Sequence, residues 1–536
     1  LLWAHGILYA RLDIGYWGLI HGLPATYFIA IVFLTAASVI LWFDTESHQF
    51  LLCLQLIIFI GALWLIPSIT GGSPPFTDHA YRNLGVIDYI VRNGHFNSAV
   101  SVYHSWPGTF FISAMVIELS AIDLQPMLTV FPFIMQVLCL FPLYLFLRNT
   151  LRESCINYCW AGAWFFCLAN WVGSLYFSPQ AMAYFLLLTL LALLVSISSL
   201  KTSSSSRNYR LLGLVVIIIA ALAITHLLTA LAALCIFGII SMVKRSNSMV
   251  VVAVICGLFI MYWGLTGAGR WISSIISGQE YITTSVGVVG SREVIEHLGG
   301  SASHAAVALS RLPFSAIFTL LGFSGAIIVF LVKRKFSTGI PILVMAMAPL
   351  LLFPLSVNYA GEFTTRLYLF ALAPMAYFTV KLLEMRKRVL TVILCLLLAI
   401  GPMWHVIAHY GNEAMDYLSP AGLAGTYFFH DNIDEGYLTG SWPLGRIKNV
   451  EQYQSIGFEQ LYSENSLLTI RGEIDQDLPH HVLISQQDRE FFYFYQSDPE
   501  FIEKIETGLE TAVNYFLTYD NVDSKLFSNE SIDSVK

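Results

Sequence analysis

The sequence predicts a polytopic α-helical membrane protein of about 11–13 spans carrying a small C-terminal α/β or α+β domain. Three observations predict it. Of 536 residues, 56% are apolar and only 12% charged, about half the ~25% charged share of soluble domains. The deficit falls in runs: at least ten stretches of 16 or more mostly apolar residues lie between positions 22 and 404. Each is long enough to cross a hydrocarbon core of about 30 Å. Charge also divides the chain, since residues 405–536 hold 22 acidic and 7 basic residues against 13 and 21 in residues 1–404. Residues 1–404 therefore read as a membrane domain with a long loop at 70–125, and 405–536 as a soluble acidic domain.

Spans are expected near 22–43, 50–69, 126–147, 155–171, 181–200, 211–224, 228–243, 249–266, 314–333, 340–357, 367–382 and 389–404. Segments such as Ala181–Leu200 and Val389–Leu398 lack the polar face of a soluble amphipathic helix. Basic residues gather in the short loops Arg148–Arg152, Lys201–Arg210, Lys244–Arg245, Lys333–Lys335 and Lys381–Arg388. Loops of this kind stay cytoplasmic, so alternation places 70–125, 172–180, 225–227, 267–313, 358–366 and the chain after 404 outside. That solution requires 211–243 to be a hairpin of two short spans turning at Thr225-His226. Basic charge so distributed is a topology signal and excludes a nucleic-acid surface. Leu1 stands in an apolar context without an initiator Met, and further residues are expected before it. All eight cysteines lie in or beside apolar runs and read as small packing residues, so the tail is expected to fold without disulfides.

The outer loops carry the chemistry. Loop 70–125 opens with Gly71-Gly72-Ser73-Pro74-Pro75-Phe76-Thr77-Asp78-His79-Ala80-Tyr81-Arg82. Thr77 suits a helix start, and the following apolar positions predict a helix to about Val91 with one face at the interface. After Tyr103-His104-Ser105-Trp106-Pro107-Gly108, a second short apolar helix is expected over Phe110–Leu119. Pro179 suits the first turn of another.

Polar groups beside a membrane are costly and mark candidate sites. Asp78 follows an apolar span and a Pro-Pro turn, where a carboxylate facing water can act as general base; its plainer role is to favour a helix dipole. His79 and Arg82 accompany it. Arg366 opens a late span, where a guanidinium fork matches phosphate oxygens; Glu362 at i−4 could simply pair with it. His226 at the hairpin turn is either a packed histidine or a phosphate contact. Tyr103, His104, Trp106, Tyr176 and Gln180 could line a sugar or acceptor site, or the aromatics could be interfacial anchors. In the tail, His481–Ser485 and Phe491–Tyr495 are apolar stretches, Pro499–Phe516 reads as helix, and Asn529-Glu530-Ser531 is a sequon.

The apolar span at 50–69, the loop with Asp78 and two short helices, the outward His226 and the late Arg366 together resemble the GT-C superfamily of integral-membrane glycosyltransferases. The resemblance covers roughly residues 50–404, in layout more than in letters. It implies sugar transfer from a polyprenyl-phosphate or -diphosphate donor to an extracytoplasmic protein, lipid or glycan, with inversion. It further implies Asp78 as catalytic base and Arg366 on the lipid phosphate. His79 stands where a second acidic residue often follows the loop Asp. No ligand cluster supports a divalent metal, and no other cofactor is indicated. A transporter or flippase would want mid-span charges and internal repeats, which are scarce here. A scaffold presenting the acidic tail is the third class.

Overall fold

The computed structural model describes residues 2–75, 77–152, 154–173, 175–199, 205–269, 300–358, 363–385, 388–433, 436–440, 448, 453–456, 480–496 and 500–529. A short helix α1 (Leu2–Leu8) precedes α2 (Ala25–Trp42) and α3 (Gln49–Trp64), the latter continued by one turn, α4 (Ile66–Thr70). The expected loop helices are α5 (Thr77–Asn93) and α6 (Gly108–Ser120). Then come α7 (Phe131–Thr150), α8 (Asn157–Ala169), α9 (Pro179–Ser199), α10 (Ser205–Thr225), α11 (Leu227–Val243) and α12 (Asn247–Thr266). The bundle closes with α13 (Ala302–Ile327), α14 (Phe336–Met347), α15 (Phe363–Leu383) and α16 (Arg388–Tyr410). Among the described residues, 8 helices are long and apolar enough to cross a membrane, and shorter apolar helices stand beside them.

The 211–243 segment is the hairpin that the alternation requires. His226 is extended (φ −159°, ψ 109°) between α10 and α11 and caps α11, its ring accepting from Thr229 N. The last helix runs to Tyr410, six residues past the expected end of the membrane domain.

Hydrogen bonds sort the helix ends onto two faces. On one, Glu384 after α15 meets Lys333 and Ser154, and Lys381 reaches Glu384 at 2.7 Å and Ser154 at 2.8 Å. Asn157 on this face donates to Glu46 O at 2.7 Å. Lys333 and Lys381, from two of the basic loops, thus lie together around Glu384, beside Ser154. On the other face, Ser73 Oγ donates to Leu418 O (2.9 Å) and accepts from Leu418 N (2.8 Å), and Trp263 Nε1 donates to Ser105 O (3.1 Å). Loop 70–125 and the chain just after α16 therefore share a face.

Helix α8 is the hub of the core. Every residue from Asn157 to Ala169 is buried; Trp164 stacks on Phe59 at 4.3 Å and meets Trp42 edge-on at 5.9 Å. At the rim the chemistry inverts: Val251, Val254, Leu258, Met261 and Leu265 of α12 are exposed, as lipid requires. Helices α13 and α15 run so close that a Cβ on Gly325 would lie 1.9 Å from Phe378 O. Small residues permit such approaches where packing rather than water drives association. Gly325→Ala must push the pair apart, and we expect it to cost about 1–3 kcal/mol, read as earlier thermal unfolding in detergent; unchanged unfolding would show that the helices are not in contact there.

Beyond α16 come α17 (Glu413–Asp416) and α18 (Pro420–Asn432), then a five-stranded sheet of order β2-β1-β3-β5-β4. Its strands are β1 (Gly436–Gly440), β2 (Tyr453–Ile456), β3 (His481–Ser485), β4 (Phe516–Asp520) and β5 (Ser524–Ser528). β1 pairs in parallel with β2 and β3, while β5 is antiparallel to β3 and β4. Helices α19 (Gln486–Phe491) and α20 (Phe501–Thr511) complete it. Phe491–Tyr495 is helical, because the capping box of Ser485 and Asp488 turns the chain into α19 as β3 ends. The sequon at Asn529 lies partly outside the described residues.

Candidate functional site

The turn after α4 delivers Asp78 to the first turn of α5. Thr77 is already helical, and its hydroxyl donates to Pro74 O at 2.7 Å. Asp78 and His79 are part-buried, at 23% and 29% side-chain exposure, with Oδ2 and Nδ1 3.4 Å apart. Burial alone would raise the Asp78 carboxyl, but the His79 charge and hydrogen bond, and then the Arg82 charge, hold it below the ordinary carboxylate range. Asp78 is therefore ionised at neutral pH, as a base must be before it acts.

The neighbouring side chains extend the site along one rim. Arg82 is buried and lays its guanidinium over the Tyr103 ring, 4.3 Å from the centroid, a cation–π contact. The Tyr176 ring stands edge-on to His79 at 6.0 Å. Past Tyr103, the chain turns into α6 so tightly that a Cβ on Gly108 would lie 2.4 Å from Thr225 Oγ1. This sets α6 against the hairpin tip. Next to that tip, burial first and the Arg366 charge second push the His226 imidazole down to about 3, so it is neutral. Arg366 stands in the first turn of α15. Tyr184, one turn inward from Gln180, donates to Leu369 O at 2.9 Å, so Gln180 and Arg366 sit at similar depth. The Gln180 amide nitrogen is buried with no hydrogen-bond partner among the described residues.

Not every expected residue faces this rim. His104 is fully buried, accepts from Asn97 N at 3.1 Å and meets Tyr89 edge-on at 4.9 Å; it holds the 94–101 turn in place. Trp106 follows it as the half-buried residue after a 3-10 turn. Glu362 lies outside the described residues.

Two residues that sequence reasoning missed join the site. Arg311, on α13, donates from Nε to Ala408 O at 2.8 Å and packs over Trp171 at 5.3 Å. Asp416 ends α17, just past the last membrane helix, and feels the charges of Asp78, His79 and Arg311. The available signal was Glu413-Ala-Met-Asp416 directly after an apolar span, a place where acids are costly unless used. Among the described residues no group of three or more His, Cys, Asp or Glu converges as metal ligands would.

No family model and no curated protein sequence matches the chain. Solved structures do. ArnT from Cupriavidus metallidurans in the apo state superposes with a TM-score of 0.54 at 11% identity, covering 89% of this chain and 98% of that one. The same protein bound to undecaprenyl phosphate gives 0.51 at 12%, covering 95% and 99%. The Archaeoglobus fulgidus oligosaccharyltransferase tethered to an acceptor peptide with the NVT sequon gives 0.51 at 13%, covering 90% and 74%. At these identities the likeness is one of fold.

Proposed function

We propose that this chain, which has the GT-C glycosyltransferase fold, moves a sugar from a polyprenyl-(di)phosphate donor to an extracytoplasmic acceptor. The observation that carries the reading is the rim itself: an ionised carboxylate at one end and a guanidinium beside a neutral imidazole at the other, on one membrane face. Undecaprenyl phosphate bound to ArnT supports the donor class. Lys333 and Lys381 gathered on the opposite face support placing this one outside.

Asp78 takes the proton of the acceptor hydroxyl or amide as its oxygen or nitrogen attacks the anomeric carbon. The C1–O bond to phosphate breaks, and its electron pair leaves with the phosphate, where Arg366 stabilises the growing charge. One displacement inverts the anomeric centre. Tyr103, Tyr176 and Gln180 supply stacking and hydrogen bonds to sugar or acceptor. The test is transfer in proteoliposomes supplied with radiolabelled polyprenyl-phosphate sugars and extracted envelope acceptors. Label leaving the lipid fraction only when acceptor is present is the expected result; label that crosses the bilayer still attached to lipid would make the protein a flippase.

A further inference from the structure

We propose that Asp416, supplied by the junction to the soluble domain, accepts from Asp78 the proton that Asp78 takes from the acceptor. The inference rests on the reading of Asp78 as base. Its geometry does not. Ser73, five residues before Asp78, is doubly hydrogen-bonded to the backbone of Leu418, two residues after Asp416. That clamp ties the turn bearing Asp78 to the segment bearing Asp416. Tyr417 N closes α17 on Glu413 O at 2.7 Å, and Gln487 of the soluble domain reaches Met415 O at 3.5 Å. The Glu413 carboxyl is 3% exposed, its Oε1 is without a partner among the described residues, and it faces Gly72 in the same turn.

The charges facing Asp416 come from each packed element: Asp78 and His79 from α5, Arg311 from α13, Glu413 from its own turn. From α19, Asp488 is engaged in the cap with Ser485, and Arg489 pairs with Glu506. Burial first, and then the Asp78 charge, push the Asp416 carboxyl up to about 7 against the pull of His79 and Arg311. Asp78 lies on the other side, below the ordinary carboxylate value. A proton captured by Asp78 therefore runs downhill to Asp416. Asp416 is half-buried, so it can release the proton to solvent. Asp78 returns as a carboxylate, and the balance closes: the acceptor's proton goes to solvent and the C1–O electron pair to the phosphate.

Sign follows from occupancy. Below pH 7 Asp416 is protonated and cannot accept; above it the relay is open, so turnover rises with pH through about 7. Asp416→Asn should lower kcat about 10-fold or more, leave donor KM within about twofold and remove that limb; Asp416→Glu should restore it. Infrared difference titration of the full chain in detergent should show a carboxyl titrating near 7 that Asp416→Asn deletes. Asp78→Asn should move its midpoint down, because a repelling charge is gone. Asp416→Asn retaining the wild-type rate and limb, or a midpoint unmoved by Asp78→Asn, would overturn the relay. An Asp78→Asn enzyme that still transfers sugar would instead overturn Asp78 as base, which the coupled titration does not depend on.

Discussion

Asp78→Asn is expected to abolish sugar transfer, lowering kcat by about 10²–10⁴-fold while the protein expresses, purifies and unfolds as the parent does. The isostere keeps the shape of the turn but removes the lone pair that takes the proton. Folding should tolerate it, because the carboxylate approaches the His79 ring only at 3.4 Å, and the turn is held by Thr77 and Ser73 instead. Donor binding should persist, since the phosphate contacts lie at the other end of the rim. Wild-type rates from the Asn variant would remove Asp78 from the mechanism; a variant that fails to fold would be answered by Asp78→Glu, expected to recover partial activity.

Arg366→Ala is expected to weaken the donor rather than the base. Charge-assisted hydrogen bonds contribute about 1.5–3 kcal/mol each, so losing the guanidinium should raise donor KM about 10–100-fold. Arg366→Lys should recover part of it, because an ammonium keeps the charge and loses the fork. The neutral His226 beside it can donate a hydrogen bond to phosphate without adding charge, so His226→Ala should cost less. The check is binding of polyprenyl phosphate by the three variants and the parent. Equal affinity in all four would place the lipid phosphate elsewhere.

The residues explain what could be read in advance. The spans were legible because lipid imposes one requirement everywhere, internally satisfied backbone under an apolar surface. The start of α9 at Pro179 and the two loop helices were legible from local Pro, Thr and Gly chemistry. The hairpin at His226 followed only from the charge alternation of distant loops, because 211–243 carries no break of its own. Asp416 and Arg311 were not legible. Asp416 is tied to the turn bearing Asp78 only through the tertiary Ser73–Leu418 clamp, and Arg311 is set near Asp416 by the Ala408 carbonyl and Trp171. Placing the domain boundary at 404 also cut Asp416 away from the membrane site, although α16 runs on to Tyr410. His104 was grouped with the rim by sequence proximity, but Asn97 N needed an acceptor and drew it inside.

The most direct test of the glycosyl-transfer account is a cryo-electron microscopy map of the protein with polyprenyl phosphate bound. The account predicts the phosphate within about 4 Å of the Arg366 guanidinium, the lipid tail running between helices into the bilayer, and Asp78 facing the space beyond the phosphate where an acceptor attacks. A phosphate seated on the face of Glu384 and the basic loops, or one with Asp78 turned away from it, would contradict the account.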